Sequence, residues 1–410
     1  MNISVLSNSK GYNMPGRGIL YAIISCMVFL SVSCTDNSMN TSEQNNKGEA
    51  THYSYRINAF DILSSNPKIG NKAFINKKIH AKRGNKNNVN NADGFSSPLF
   101  GLATAPNNDI LVADASSGVV TLWGVTDIML PGITDISTLG RGSMWATVGG
   151  GEDPESDSGQ GLFQLSKGHT HKVANLFEFE ETNDPDGAGA DSNPFDVASL
   201  GGQAALVADA GANDLLRVDN QGHVKVLAVF PDEVVSTDNL HDLVGCPDNP
   251  IPDFAGLCDV DQLPAQAVPT SIAIGPDGYY YVGELKGFPA PTGASSIWKI
   301  APGASWAECG SSPDCQKVFD GGFTSIIDLA FDKDGYLYVS ELDEDSWFAV
   351  EVLGSGSGGT INKCNLATLT CEEVITGVPI HTAITFGKDG SLWATKNALI
   401  PNLAEVIKVP

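Results

Sequence analysis

Six stretches of this chain carry one hydrophobic rhythm: a short apolar run, a turn rich in Gly, Asn or Asp, then a second short apolar run. They read FGLATAPNNDILVAD (100–114), TDISTLGRGSMWATV (134–148), FDVASLGGQAALVAD (195–209), TSIAIGPDGYYYVGE (270–284), IDLAFDKDGYLYVSE (327–341) and HTAITFGKDGSLWATK (381–396). Runs this short, divided by residues that supply the positive φ of a tight turn, predict β-hairpins. A third run follows several copies, as in NDLLRVD (213–219) and SSIWKI (295–300), and HVKVLAVF (223–230) supplies a fourth.

Four antiparallel strands per repeat make a propeller blade. One blade cannot cover both its faces, but blades stacked around an axis cover each other and leave no long free edge. Six copies predict an all-β, six-bladed β-propeller over residues 97–410. The last unit has only three runs before Pro410. A strand from the N-terminal side, YRINAFDI (55–62) or AFINKKIHA (73–81), is expected to close the ring.

The segments NPFDVASLGGQAALVADAGANDLLRVD, VPTSIAIGPDGYYYVGELKGFP and FTSIIDLAFDKDGYLYVSEL resemble the ScyD/ScyE family. These bacterial propeller proteins are named for a cyanobacterial cluster that makes the pigment scytonemin. The resemblance covers roughly 97–410, and Gly283 to Pro289 is its most specific part. VADAGANDLLRVD also resembles the broader NHL repeat. The resemblance implies the fold and carries over no activity.

Residues 1–34 read as a signal segment. Arg17 precedes the apolar run ILYAIISCMVFLSVSC, which is short for a membrane span and ends at Cys34. Small residues ahead of Cys34 resemble a bacterial lipobox, which implies lipidation of that Cys; ordinary signal cleavage is the other reading. Residues 35–54 read as a flexible linker, and residues 55–96 as a basic linker holding the ring-closing strand. Of the eight Cys, six lie beyond the signal in close pairs: Cys246 with Cys258, Cys309 with Cys315, and Cys364 with Cys371. Even pairing after an export signal predicts disulfides, and the lack of any CxxC argues against zinc. An exported protein of the bacterial cell envelope, periplasm or exterior is expected, touching membrane through a lipid anchor only.

The net charge is −24. Residues 91–410 hold 13 Lys and Arg against 44 Asp and Glu, which excludes a nucleic-acid surface.

In a blade the start of the first strand and the end of the second lie on one face of the ring. There the connections are long: 149–161, 231–266, 285–294 and 342–358. The first-to-second turns on the other face are all short. Long loops on a rigid scaffold are where binding usually lives, so the loop-rich face, with Phe254, Phe288, Trp347 and Phe348, is the expected site for an unknown ligand or protein. The residue ahead of each first-strand apolar pair is Gly101, Asp135, Asp196, Ser271, Asp328 and His381. At equal heights around one axis, Asp135, Asp196, Asp328 and His381 would hold a divalent cation, Ca²⁺ or Mg²⁺ before Zn²⁺ or Mn²⁺. The plainer reading is that the acids accept hydrogen bonds from neighbouring backbone or channel water. The second-strand acids Asp114 and Asp209 are expected to cap the next turn, while Glu284 and Glu341 have arms long enough to reach inward. Asp184 to Asp191, DPDGAGAD, has the flavour of a calcium loop without full EF-hand spacing. Two functions follow. One is a binding module. The other is a lactonase- or lyase-like enzyme in which a channel cation polarises a carbonyl while His381 or Glu284 moves a proton.

Overall fold

The computed structural model describes residues 95–122, 126–150 and 159–410. The signal segment with Cys34, both linkers and both candidate closing strands lie outside the described residues. Six antiparallel sheets follow one another in sequence. The first holds β1 (Leu99–Thr104), β2 (Ile110–Asp114), β3 (Gly118–Thr121) and β4 (Thr126–Met129). The second holds β5 (Ile133–Gly140), β6 (Ser143–Val148), β7 (Gly161–Ser166) and β8 (His169–Asn175). Helix α1 (Leu176–Asn183) leads to the third: β9 (Pro194–Ser199), β10 (Ala204–Asp209), β11 (Asp214–Asp219) and β12 (Val224–Val229). The strand pair β13 (Glu233–Ser236) and β14 (Gln262–Ala265) flanks helix α2 (Asp238–Val244).

The fourth sheet is β15 (Pro269–Ile274), β16 (Tyr280–Glu284), β17 (Ser295–Ile300) and β19 (Cys315–Phe323). Between its last two strands, β18 (Ala307–Glu308) adds in parallel to β12 of the third blade. The fifth is β20 (Ile326–Phe331), β21 (Leu337–Glu341), β22 (Gly359–Asn365) and β23 (Thr370–Val378), with helix α3 (Ser346–Glu351) between its second and third strands. The sixth is β24 (Ile384–Phe386), β25 (Leu392–Lys396) and β26 (Glu405–Lys408). The innermost strands touch in the cycle β1, β5, β9, β15, β20, β24 and back to β1, so the protein is a closed six-bladed β-propeller.

Both faces of each blade are covered, which is why the second-strand runs are almost wholly apolar. Along β10, Ala205 and Val207 pack toward the second blade, while Leu206 and Ala208 pack toward the fourth. Each of the six gaps between blades holds its own apolar cluster, including the closing gap, where Leu99, Leu102 and Val112 meet Ala383, Ala398 and Val406. There the Leu99 amide donates to the Ala398 carbonyl at 3.0 Å. Four of the six short turns share one backbone hydrogen-bond pattern. In three of them a Gly at positive φ, Gly278, Gly335 and Gly390, closes the bend where a side chain would strain the backbone. The three predicted disulfides are formed, and Cys364 and Cys371 face each other across β22 and β23. Among the described residues no helix is long and apolar enough to cross a membrane.

Candidate functional site

The strand register fixes which residues share a height around the axis. Gly101 lies opposite Ala113, Asp135 opposite Thr147, Asp196 opposite Ala208, Ser271 opposite Gly283, and Asp328 opposite Ser340. In the sixth blade Ile384 lies opposite Ala394, which puts Ala383 at that height. The preceding threonines confirm it. Thr134, Thr270 and Thr382 each donate a hydroxyl to a carbonyl of the next blade: Pro194 at 2.7 Å, Ile326 at 2.6 Å, and Leu99. His381 therefore stands two residues off the ring, a correction to the expected ligand set. It is fully buried and neither ring nitrogen has a well-formed hydrogen bond. Burial lowers its pKa to about 4, so at neutral pH it is uncharged.

Each ring carboxylate reaches sideways to the next blade. Asp135 accepts from the Val197 amide at 3.2 Å, Asp196 from the Ile272 amide at 2.7 Å, and Asp328 from the Ile384 amide at 2.6 Å. These bonds staple the second blade to the third, the third to the fourth and the fifth to the sixth. The plainer reading of the three acids is thus realised. Gly101 is required beside them, because a Cβ there would lie 2.1 Å from Oδ1 of Asp135. Ser271 is buried and its hydroxyl lacks a partner among the described residues. The carboxyls of Asp135, Asp196 and Asp328 are all raised, first by burial. For Asp135 the charge of Asp196 and a shared hydrogen bond add to the rise, and for Asp328 the charge of Asp196 does. Like charges this close hold at least one proton among them.

From this ring a cavity of 410 Å³ runs along the axis to the short-turn face. Its floor is Asp135, Asp196 and Asp328. Its wall combines Thr104, Ser137, Thr138, Ser199 and Thr385 with Ile136, Val197, Ile272 and Leu329. The opposite mouth is filled. Phe100, Phe195 and Ile327 of the first strands, with Val268 just ahead of β15, cluster with Leu240 and Val244 of α2 and with Trp347 and Phe348 of α3. Phe254 and Phe288 pack on Phe348, with ring centroids 5.3 Å and 6.2 Å away. Trp347 is 3% exposed and its indole N–H donates to the Lys286 carbonyl at 2.9 Å. The expected aromatic surface on the loop-rich face is therefore spent inside a plug. Apolar loops long enough to meet bury one another.

The second-strand acids are held in place by buried hydrogen bonds. Asp114 accepts from the amides of Ser96 (2.7 Å) and Ser116 (3.1 Å), and Asp209 from those of Asn193 (2.6 Å), Gly211 and Ala212 (both 3.2 Å). Glu341 accepts from the Thr324 amide at 2.5 Å and the Asn362 side chain at 2.6 Å. Glu284 is fully buried, accepts from the Trp298 indole, and pairs with Lys286 at 2.8 Å. Lys286, also fully buried, reaches Glu233 of β13 at 2.7 Å. Neither Glu284 nor Glu341 lines the cavity. Among the described residues, the group of three acids whose oxygens all lie within 4.8 Å is Glu180, Asp184 and Asp186, away from the channel. Sequence reasoning missed the convergence of this group with Asp214, since only the fold joins the end of α1 to the start of β11.

These features define a six-bladed β-propeller with an acid-floored channel open at one end. No family model matches the chain, and no curated protein matches it. Among solved structures it is similar to a virginiamycin B lyase from Staphylococcus aureus, at 12% identity over 78% of this chain and 86% of that one, with a TM-score of 0.39. It is similar to the calcium-binding protein regucalcin from Agrobacterium tumefaciens, at 13% identity, 75% and 84% coverage and a TM-score of 0.45. It is also similar to a putative glucose dehydrogenase from Thermus thermophilus, at 14% identity, 78% and 98% coverage and a TM-score of 0.42. At these values the likenesses assign no activity.

Proposed function

We propose that the protein is a ligand-binding module whose ligand enters the channel from the short-turn face and sets a positively charged group on Asp135, Asp196 and Asp328. The observation that carries this reading is the cavity of 410 Å³ with a carboxylate floor and a wall of hydroxyls and aliphatic side chains. Its volume falls within the range of about 300–1,000 Å³ common to small-molecule sites. Burial and mutual repulsion hold the floor acids partly protonated. A small organic cation, an amine or a guanidine, relieves that repulsion and releases protons as it binds. The lactonase- or lyase-like alternative has less support: His381 is off the ring, and Glu284 is locked to Lys286 behind the wall.

The test is a thermal-shift screen with putrescine, agmatine and glucosamine. At least one amine is expected to raise the melting temperature of the wild type and not that of Asp196→Asn. If every amine fails while neutral or anionic compounds bind independently of Asp196, the proposal falls.

In the same reading the propeller belongs to the ScyD/ScyE-like group and works in the cell envelope, tethered by lipid at Cys34. The three disulfides support an oxidising compartment, and the sequence resemblance at Gly283 to Pro289 supports the grouping. Cys34→Ser is expected to move the protein from the membrane to the soluble fraction; unchanged partitioning contradicts the anchor.

A further inference from the structure

We propose that the propeller holds one Ca²⁺ ion between the end of α1 and the β10–β11 turn, with Glu180, Asp184, Asp186 and Asp214 as its oxygen ligands. One oxygen each from Glu180, Asp184 and Asp186 already lies within 4.8 Å of the others. Asp214 gives the independent sign of a ligand. It is fully buried, both its oxygens lack any hydrogen-bond partner, and the charges acting on it are those of Asp209, Glu180 and Asp186. Glu180 is 1% exposed and both its oxygens are likewise unpartnered. A buried carboxyl with no donor is costly whether or not it is ionised. Two such groups beside two further acids need either donors or a cation. The donors nearby are engaged elsewhere. The Gly189 amide bonds Asp184 at 3.0 Å, the Ala188 amide and Asn213 side chain bond Asp186, and the amides of the β10–β11 turn bond Asp209.

The local backbone agrees. Asp184 caps α1 in the left-handed region, and no basic residue stands in the last turn of the helix. Acids there oppose the helix dipole unless a cation lies among them. Asp191 lies close by, its Oδ1 3.0 Å from where a Cβ on Gly211 would stand and its carboxyl raised by burial and the charge of Asp186. An all-oxygen, carboxylate-rich set suits Ca²⁺. Mg²⁺ keeps most of its waters and takes fewer carboxylates, and Zn²⁺ prefers nitrogen and sulfur.

The site is independent of the channel, so the two proposals fail separately. The full chain is stripped with EDTA and melted in EDTA, in about 1 mM CaCl₂ and in about 1 mM MgCl₂. Ca²⁺ is expected to raise the melting temperature by about 5 °C, and Mg²⁺ by clearly less. Elemental analysis should find about one Ca²⁺ per chain after dialysis. Asp184→Asn and Asp214→Asn should each abolish the shift, while Asp196→Asn keeps it. Asp184 sits on a half-exposed loop, so its variant decides the matter if Asp214→Asn does not fold. No shift and no retained metal, an equal shift in Mg²⁺, or a Ca²⁺ shift that survives substitution of Asp184 overturns the proposal.

Discussion

A ring carboxylate spends one oxygen on the next blade's amide, a bond that an asparagine carbonyl can reproduce and a methyl cannot. Asp135→Ala leaves the Val197 amide buried without its acceptor and is expected to cost about 1–3 kcal/mol in urea unfolding. Asp135→Asn keeps the acceptor and removes the titration. The folded-state pKa of Asp135 is raised, so its contribution is greatest below the unfolded carboxylate value and is lost as pH rises through the folded one. The melting temperature of the wild type relative to Asp135→Asn should therefore fall between acid and mildly alkaline pH. A flat difference would contradict the shared proton. His381 works in the opposite sense. Its folded pKa of about 4 lies below the unfolded value, so stability is lost as pH falls from about 6.5 to about 4, by roughly 3 kcal/mol. His381→Leu should remove that acid-side loss, read as urea midpoints at the two ends of the window. The three ring acids were legible because the copies align on their hairpins. His381 is misplaced in the sequence reading because it stands first in the sixth copy, two residues ahead of Ala383, which holds the ring height. The repeated threonine, Thr134, Thr270 and Thr382, was the signal that gives the correct register.

At the scale of elements, the loop-rich face depends on a buried charge pair and on apolar loops closing over it. Lys286 joins the end of β16 to β13 through Glu284 and Glu233. Lys286→Met leaves Glu284 buried and uncompensated, and is expected to destabilise by about 3–5 kcal/mol. Adding Glu284→Gln to that variant should restore part of the loss; equal stability of the single and double variants would show that the pair is not coupled. Strands, short turns and disulfides could be read from the sequence because their partners lie a few residues away. The plug could not, because its contacts join distant segments. Asn239 donates to the Ala290 carbonyl at 2.7 Å, and Trp347 to Lys286 across two blades. Sequence length alone marks those loops as long, and says nothing of whether they open outward or fold inward.

For the whole molecule, six apolar gaps and a closed cycle of inner strands make a ring, and among the described residues the plug leaves its channel a wide mouth on the short-turn face. The proposed function therefore moves the binding face from the long loops to the short turns, while keeping the acidic throat that the repeats predict. The most direct test is isothermal titration of the amine giving the largest thermal shift, into wild type and into Ser199→Trp, which narrows the mouth without touching the floor. The account predicts binding to the wild type with net proton release and no detectable binding to a Ser199→Trp variant that melts normally. Equal affinity for both proteins, without proton exchange, would contradict it.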